Sequence, residues 1–556
     1  MPLVLDEAHS ERQLQAVLFT LVTLGYIDGS FDPSERKFIE EKIQEMVDVW
    51  ISGSDFYHDL EPGFVESVKQ YEKQNLLEVL DSIDQSLSAL METEVGIDDK
   101  LDEFISSRLI LRCFEVLAEL TVPQRQAMLD LVDRLIEADG TVHPAEVRFR
   151  EALVAELERK PPQPPTVQER PFDFSLQREP VGCPNHFEHP LLDEVEKPFP
   201  LTPDGLRAVA EADVALMQRA IATQAEIRRD GWGRLEGFPS LADVPPTEPF
   251  VDCLAYCYPS STARATDYIV VGDLHGCYGS LKAVLAQTDF FGRVARYQAS
   301  PETEPDIKLI FLGDYLDRGF WAWEGVVRTV FRLFVDYPQH VIPLVGNHEW
   351  LIERDGRIVS SVIPADAVDR WESTLPHAYF STAKSLFDQL SAVVLVDRIV
   401  LVHGGVPRHR VVAGWQGLKN FNDPEVRLEM CWSDPVMVPD VPAALQEKTQ
   451  RFAFGISQFT AFMDAVGARV MIRSHEKVAP GFRTEYDDGR YKLFTVFSAG
   501  GYNNRDLPEQ TDYRLAHPAF MWIKERSGKF VANPVRIAWE KFNDKVTNRY
   551  LTVFQD

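Results

Sequence analysis

Five short segments of this chain end runs of apolar residues in side chains that could hold a metal ion. GDLHG supplies Asp273 and His275. GDYLDRG supplies Asp314, Asp317 and Arg318. GNHE supplies Asn347, His348 and Glu349. HGG supplies His403, and RSHE supplies Arg473 and His475. Taken singly, each has an ordinary explanation. A Gly-Asp pair is usually a turn, and a histidine at a strand end is usually hydrogen-bonded scaffold. Packing gives no reason for apolar runs to end this way again and again. Metal coordination does. A mixed set of nitrogen and oxygen donors suits borderline divalent ions such as manganese, iron and zinc. The set contains no cysteine, which rules out a structural thiolate zinc site.

The elements that must carry these side chains are legible as well. From about Asp267 onward, short runs such as YIVVGD, KLIFLGD, VIPLVGN, IVLVHGG, RVMIRSH and LFTVFSA read as buried strands. In such sheets, chemistry gathers at the carboxyl ends of the strands. The stretch FGRVARYQASPETEPD (291–306) reads as an inserted loop. Upstream, residues 201–260 read as a helical extension, opened by Thr202 and Pro203 and closed by Asp230-Gly231. Residues 159–200 read as a proline-rich linker: ten of the chain's 36 prolines fall in 161–200.

Residues 1–158 read as all-helical and contain an internal repeat. Asp28, Gly29, Pro33, Glu35 and Phe38 recur at matching offsets as Asp139, Gly140, Pro144, Glu146 and Phe149. Glycine closes one helix in a left-handed turn. Asp32 caps the next, with Pro33 in its first position and Glu35 completing a capping box; His143 takes the cap's place in the second copy. The alternative is an acidic cation site built from Asp28/Glu35 and Asp139/Glu146, but the alternating oxygen ligands of an EF-hand loop are absent.

In type, order and approximate spacing, the five segments resemble the serine/threonine phosphoprotein phosphatase family of calcineurin-like metallophosphoesterases. That family carries GDxHG, GDxxDRG, GNHE, HGG and RAH. MCWSDP, ending at Pro435, and VFSAGGY, ending at Tyr502, are similar to its later LWSDP and LFSAPNY segments. The resemblance covers about residues 265–540, and several ordered motifs are far more specific than one. It implies that residues 261–556 form an α/β fold, a calcineurin-like β-sandwich with flanking helices. It implies two divalent metal ions, manganese in vitro with iron or zinc as alternatives. Asp273 and His275 would bind the first ion, Asp314 would bridge, and Asn347, His403 and His475 would complete the second. The implied reaction is direct attack on phosphorus by a hydroxide held between the metals. Arg318 would grip the phosphate, together with Asn347, Arg451 and Tyr502. His348 would protonate the leaving group, and Asp317 would orient His348. Arg451 stands four residues before Gly455 of FAFG, where the family's arginine stands seven before. Gly500 and Gly501 replace the family's Pro-Asn. The paired Asp-Gly helix junctions of residues 10–158 resemble the TerB-like helical domain, which implies an accessory domain that binds a partner or regulates catalysis.

Composition narrows the rest. A chain of 556 residues is too long for one core. Hydrophobic residues make up 45% and charged residues 26%, as in soluble globular proteins. No apolar run is long enough to span a bilayer and the acidic start does not read as a signal peptide, so a cytoplasmic protein without a membrane partner is expected. A net charge of −29 repels nucleic acid. Six scattered cysteines make no disulfide framework. The resemblance, through its late WSDP and FSAGGY segments, implies phosphoserine or phosphothreonine on a protein as the substrate. Dinucleoside polyphosphates or other small phosphoesters are the alternative, and a non-catalytic phosphoprotein-binding module a further one.

Overall fold

The structure is a computed structural model that describes residues 10–25, 33–53, 62–90, 95–118, 122–137, 144–157, 172–200, 202–261 and 265–553. The chain divides into two compact units.

The first unit takes residues 1–95, 99–165 and 436–449. Its described part is helical: Ser10–Gly25, Pro33–Gly53, Pro62–Leu90, Leu101–Ala118, Val122–Ile136 and Pro144–Leu157, with a short helix at Ala443–Gln446. Two helices begin at the repeat prolines, Pro33 and Pro144, where a missing N–H costs nothing. Glu35 and Glu146, two residues on, are both buried. The remaining repeat positions, Asp28, Gly29, Asp32, Asp139, Gly140 and His143, lie outside the described residues, as do 159–171 of the expected linker.

The second unit is mixed α/β and built on two sheets. The six-stranded sheet runs Asp173–Leu176, Lys529–Arg536, Ala519–Arg526, Ala265–Val271, Asp306–Phe311, Val341–Pro343. The seven-stranded sheet runs Phe482–Asp487, Lys492–Val496, Val470–Arg473, Ile399–Val402, Val393–Val396, Ala255–Tyr258, Phe250–Asp252. Alternation decides the layering. Tyr268, Val270, Ile310, Val394, Leu401, Ile472 and Phe494 share one core, to which both sheets contribute. Ile269, Val271, Leu309 and Phe311 instead pack with helical residues such as Leu281, Leu285 and Phe334. On the other sheet Val393, Leu395, Val400 and Met471 pack with Phe459 and Phe462. Both sheets are thus covered on both faces. That is why their central strands read as unbroken apolar runs.

Three expected boundaries shift. Residues 172–200 are not all linker: Asp173–Leu176 pairs with Lys529–Arg536, and Pro190–Val195 is helical. Residues 201–260 are not only helical. The helix Pro203–Arg228 is followed by Phe250–Asp252 and Ala255–Tyr258, which belong to the seven-stranded sheet. The stretch 291–306 is loop only at 300–305. Phe290–Ala299 is a helix, because Phe290 and Val294, one turn apart, are both buried in the core. Among the described residues no helix is long and apolar enough to cross a membrane.

Candidate metal centre

Strand register brings the five segments together. Ala265–Val271, Asp306–Phe311 and Val341–Pro343 are parallel neighbours, so Asp273, Asp314 and Asn347 emerge side by side beyond their carboxyl ends. Ile399–Val402 and Val470–Arg473 are parallel neighbours in the other sheet and deliver His403 and His475. A bridge between Asp273 and Phe497 ties the two sheets together at this end. Gly272 permits that approach. A Cβ there would lie 2.2 Å from the Val496 carbonyl oxygen. Gly346 is equally constrained, since its Cβ would lie 2.2 Å from Asp314 Oδ1.

The result is a buried cluster of lone pairs. His275, Asp314 and His348 offer ligand atoms within 4.8 Å of one another, and so do Asp314, His403 and His475. His275 Nε2 lies 3.8 Å from Asp273 Oδ2 and 3.6 Å from Asp314 Oδ2. His403 Nε2 lies 3.3 Å from Asp314 Oδ1. The rings are oriented from behind. His275 Nδ1 donates to the Leu316 carbonyl at 2.7 Å and His403 Nδ1 to the Leu312 carbonyl at 3.1 Å, leaving each Nε2 facing the cluster as an acceptor. Burial first, then the neighbouring His475 and Arg473, hold the His403 pKa well below the usual histidine value, which favours the neutral imidazole.

Asn347 tests whether these residues suit a cation. Its side-chain oxygen sits 2.9 Å from His403 Nε2, 3.0 Å from His475 Nδ1, and 3.1 and 3.2 Å from the two Asp314 oxygens. Turned over, the amide would donate into this group. With the oxygen inward, a divalent cation would balance the five electron-pair donors at such distances. The donor set of carboxylate, imidazole and amide oxygen therefore fits divalent metal ions.

Strain marks the same place. Among the described non-glycine residues with positive φ are His275, Asp314, Asp317, Arg318 and His475. Such conformations cost about 1–3 kcal/mol each and persist where surrounding structure imposes them. Here Glu349 imposes them in part. Its carboxylate accepts from the backbone N–H of Asp314 (2.8 Å), Tyr315 (2.9 Å), Leu316 (3.3 Å) and Gly346 (3.0 Å), pinning one ligand loop to the next. Burial raises its pKa against these amides and the opposing pull of His348.

His348 is fully buried. Its Nδ1 lies 2.5 Å from Asp317 Oδ2, and its Nε2 lies 3.8 Å from Asp314 Oδ2. Burial pushes the Asp317 carboxyl up, but its hydrogen bond to His348, the His348 charge, the Ala367 amide and Arg318 outweigh that and hold it below the ordinary value. Asp317 is thus an anion beside the ring. Arg318 is nearby, with Nη1 3.3 Å from the Pro364 carbonyl and 3.6 Å from Asp366 Oδ2.

Two expected substrate residues stand apart from this cluster. Arg451 is buried, and its Nε donates to Asp434 Oδ2 at 2.8 Å. Asp434 Oδ1 also accepts from Arg473 Nη2 and lies 3.6 Å from His475 Nε2, so Arg451 sits one carboxylate behind the cluster. Tyr502 is 73% exposed and, among the described residues, makes no hydrogen bond or ring contact with it. Tyr513 lies there instead, edge-on to His275 at 5.4 Å between ring centroids. Sequence reasoning missed Tyr513, which no motif marks. It also assigned nothing to Glu349, Ser474 and Asp434, all inside quoted motifs. Ser474 Oγ donates to Asp273 Oδ1 and accepts from the Asp273 N–H.

The same part of the chain resembles known proteins. Residues 267–479 match the family model for calcineurin-like phosphoesterases. The chain is similar to the serine/threonine-protein phosphatase 6 catalytic subunit of Caenorhabditis elegans, 29% identical across 42% of this chain and 64% of that one. It is similar to a protein phosphatase 2A catalytic subunit of Dictyostelium discoideum, 27% identical across 42% of this chain and 69% of that one. A solved protein serine/threonine phosphatase from Saccharomyces cerevisiae, described as similar to human phosphatase PP5, aligns over 58% of this chain and 89% of its own at 18% identity and a TM-score of 0.38. The chain spans about half to two thirds of the length of the curated relatives it matches.

Proposed function

Because the chain carries a calcineurin-like phosphoesterase domain with serine/threonine protein phosphatases among its relatives, we propose that it hydrolyses phosphoserine and phosphothreonine esters on proteins. The observation that carries this proposal is the convergence of Asp273, His275, Asp314, Asn347, His403 and His475 at the meeting point of two sheets. These six would hold two divalent ions, with manganese, iron and zinc all suited to the donors. Bound there, the ions would supply Lewis acidity toward water and the phosphate oxygens.

The chain's own residues would do the rest. Hydrolysis adds a water oxygen to phosphorus and breaks the bond to the serine or threonine oxygen. That leaving oxygen must gain a proton. His348 would give it from Nε2, while Asp317 on Nδ1 favours the protonated ring and fixes its orientation. Arg318 would hold phosphate oxygens through its planar fork and offset charge that builds on them. Asn347 would share in holding the phosphate. Arg451 would act through Asp434 rather than by touch. The helical N-terminal unit would recruit a phosphoprotein or regulate the phosphoesterase unit.

The test is hydrolysis by the full chain of a phosphoserine peptide and of diadenosine tetraphosphate, each with added manganese and with a chelator. Manganese-dependent release of phosphate from the peptide, well above turnover of the dinucleotide, is expected. Faster turnover of the dinucleotide, or turnover of neither, would overturn the proposal.

A further inference from the structure

A cavity of about 250 Å³ opens against Arg318. Its walls include Phe320, Trp323, Trp371, Arg370 and Asp366, and Pro508 closes one side. The cavity is built rather than incidental. The Trp323 indole N–H donates to the Ala367 carbonyl at 3.0 Å, and the Phe320 N–H donates to the Asp506 carbonyl at 2.8 Å. The Ala367 N–H, from the same wall, donates to Asp317 Oδ1 at 2.6 Å. The cavity therefore shares a wall with the His348–Asp317 pair and a rim with Arg318.

Its chemistry is mostly aromatic. Arg370 lies 5.8 Å from the Phe320 ring centroid and 5.6 Å from that of Trp371, and among the described residues it makes no ion pair. Asp366 on the same rim lies 3.6 Å from Arg318 Nη1 and offsets its charge. The aromatic walls favour a flat apolar group that can lie against the rings and the Arg370 guanidinium. Size matters too. Small-molecule pockets usually enclose about 300–1,000 Å³. The smaller space here suits one large side chain better than a nucleoside.

We infer that this cavity is a specificity pocket for an aromatic side chain flanking the phosphoserine or phosphothreonine of the substrate. The inference rests on the proposed phosphatase function, with Arg318 holding the phosphate at the pocket's rim. Arg370 and Phe320 are its selecting residues.

The test uses the full chain with manganese and four substrates: N-acetyl phosphoserine amide, a phosphoserine peptide flanked on both sides by phenylalanine, the same peptide flanked by alanine, and diadenosine tetraphosphate. The phenylalanine peptide should exceed the alanine peptide in kcat/KM by roughly tenfold, chiefly through KM. Arg370→Ala and, independently, Phe320→Leu should erase that ratio while the amide is hydrolysed at the wild-type rate. Equal kcat/KM for the two peptides, or a preference that survives both substitutions, overturns the inference and leaves the phosphatase function standing. No hydrolysis of the amide or either peptide overturns both. A diadenosine tetraphosphate rate above every peptide, lost in Arg370→Ala, means that the pocket takes a nucleobase and overturns the inference.

Discussion

His348 is gripped on one ring nitrogen by a buried anion and turned with the other toward Asp314. This arrangement suits proton donation to a leaving group, and it makes a prediction that metal binding alone does not. His348→Asn should lower kcat on a phosphoserine peptide by about 10²–10⁴-fold, the usual scale of general acid catalysis. It should cost much less on p-nitrophenyl phosphate, whose leaving group needs no proton. Equal losses on both substrates would argue for a structural role. At this scale the sequence was most legible where residue type dictates chemistry. An aspartate, histidine or asparagine closing an apolar run has little structural reason to be there, and those side chains do converge. It was least legible where a residue acts through others. Ser474 and Glu349 hold ligands or ligand loops by hydrogen bonds that only the fold reveals. The FAFG segment that suggested Arg451 carries no information about Asp434, which intercepts it.

Two sheets meet at the centre through their strand ends, so the backbone there must pass very close to itself. Gly272→Ala would set a methyl group against the Val496 carbonyl, with no flexible side chain to yield. A destabilisation of about 1–3 kcal/mol is expected. It should appear as a lowered midpoint of thermal unfolding measured with a chelator present, so that metal binding does not contribute. An unchanged midpoint would mean that the sheets can part without cost. The central strands were legible because both faces are buried and the runs are continuously apolar. The edge strands were not. Asp173–Leu176 is short and largely exposed, and Phe250–Asp252 spans three residues, so neither carries a pattern that separates it from a linker or a turn. The helix Phe290–Ala299 was hidden because it buries only Phe290 and Val294 and runs straight into the polar turn at 300–305.

As a whole, the molecule joins a helical unit to a mixed α/β unit and carries a net charge of −29. A field of that sign repels phosphorylated substrates, so under the proposed function the centre would need local positive charge from metal ions and Arg318. Without ions the six ligand side chains would gather carboxylates and lone pairs with little to balance them. The decisive measurement is therefore the metal content of the full chain after loading with manganese and gel filtration, with Asp314→Asn treated in parallel. About two ions per chain are predicted for the natural sequence, as in two-metal sites, with a clear fall in the variant, which loses the carboxylate that lies 3.6 Å from His275, 3.8 Å from His348 and 3.3 Å from His403. A natural chain that retains no metal, or a variant that retains as much as the natural chain, would contradict the account.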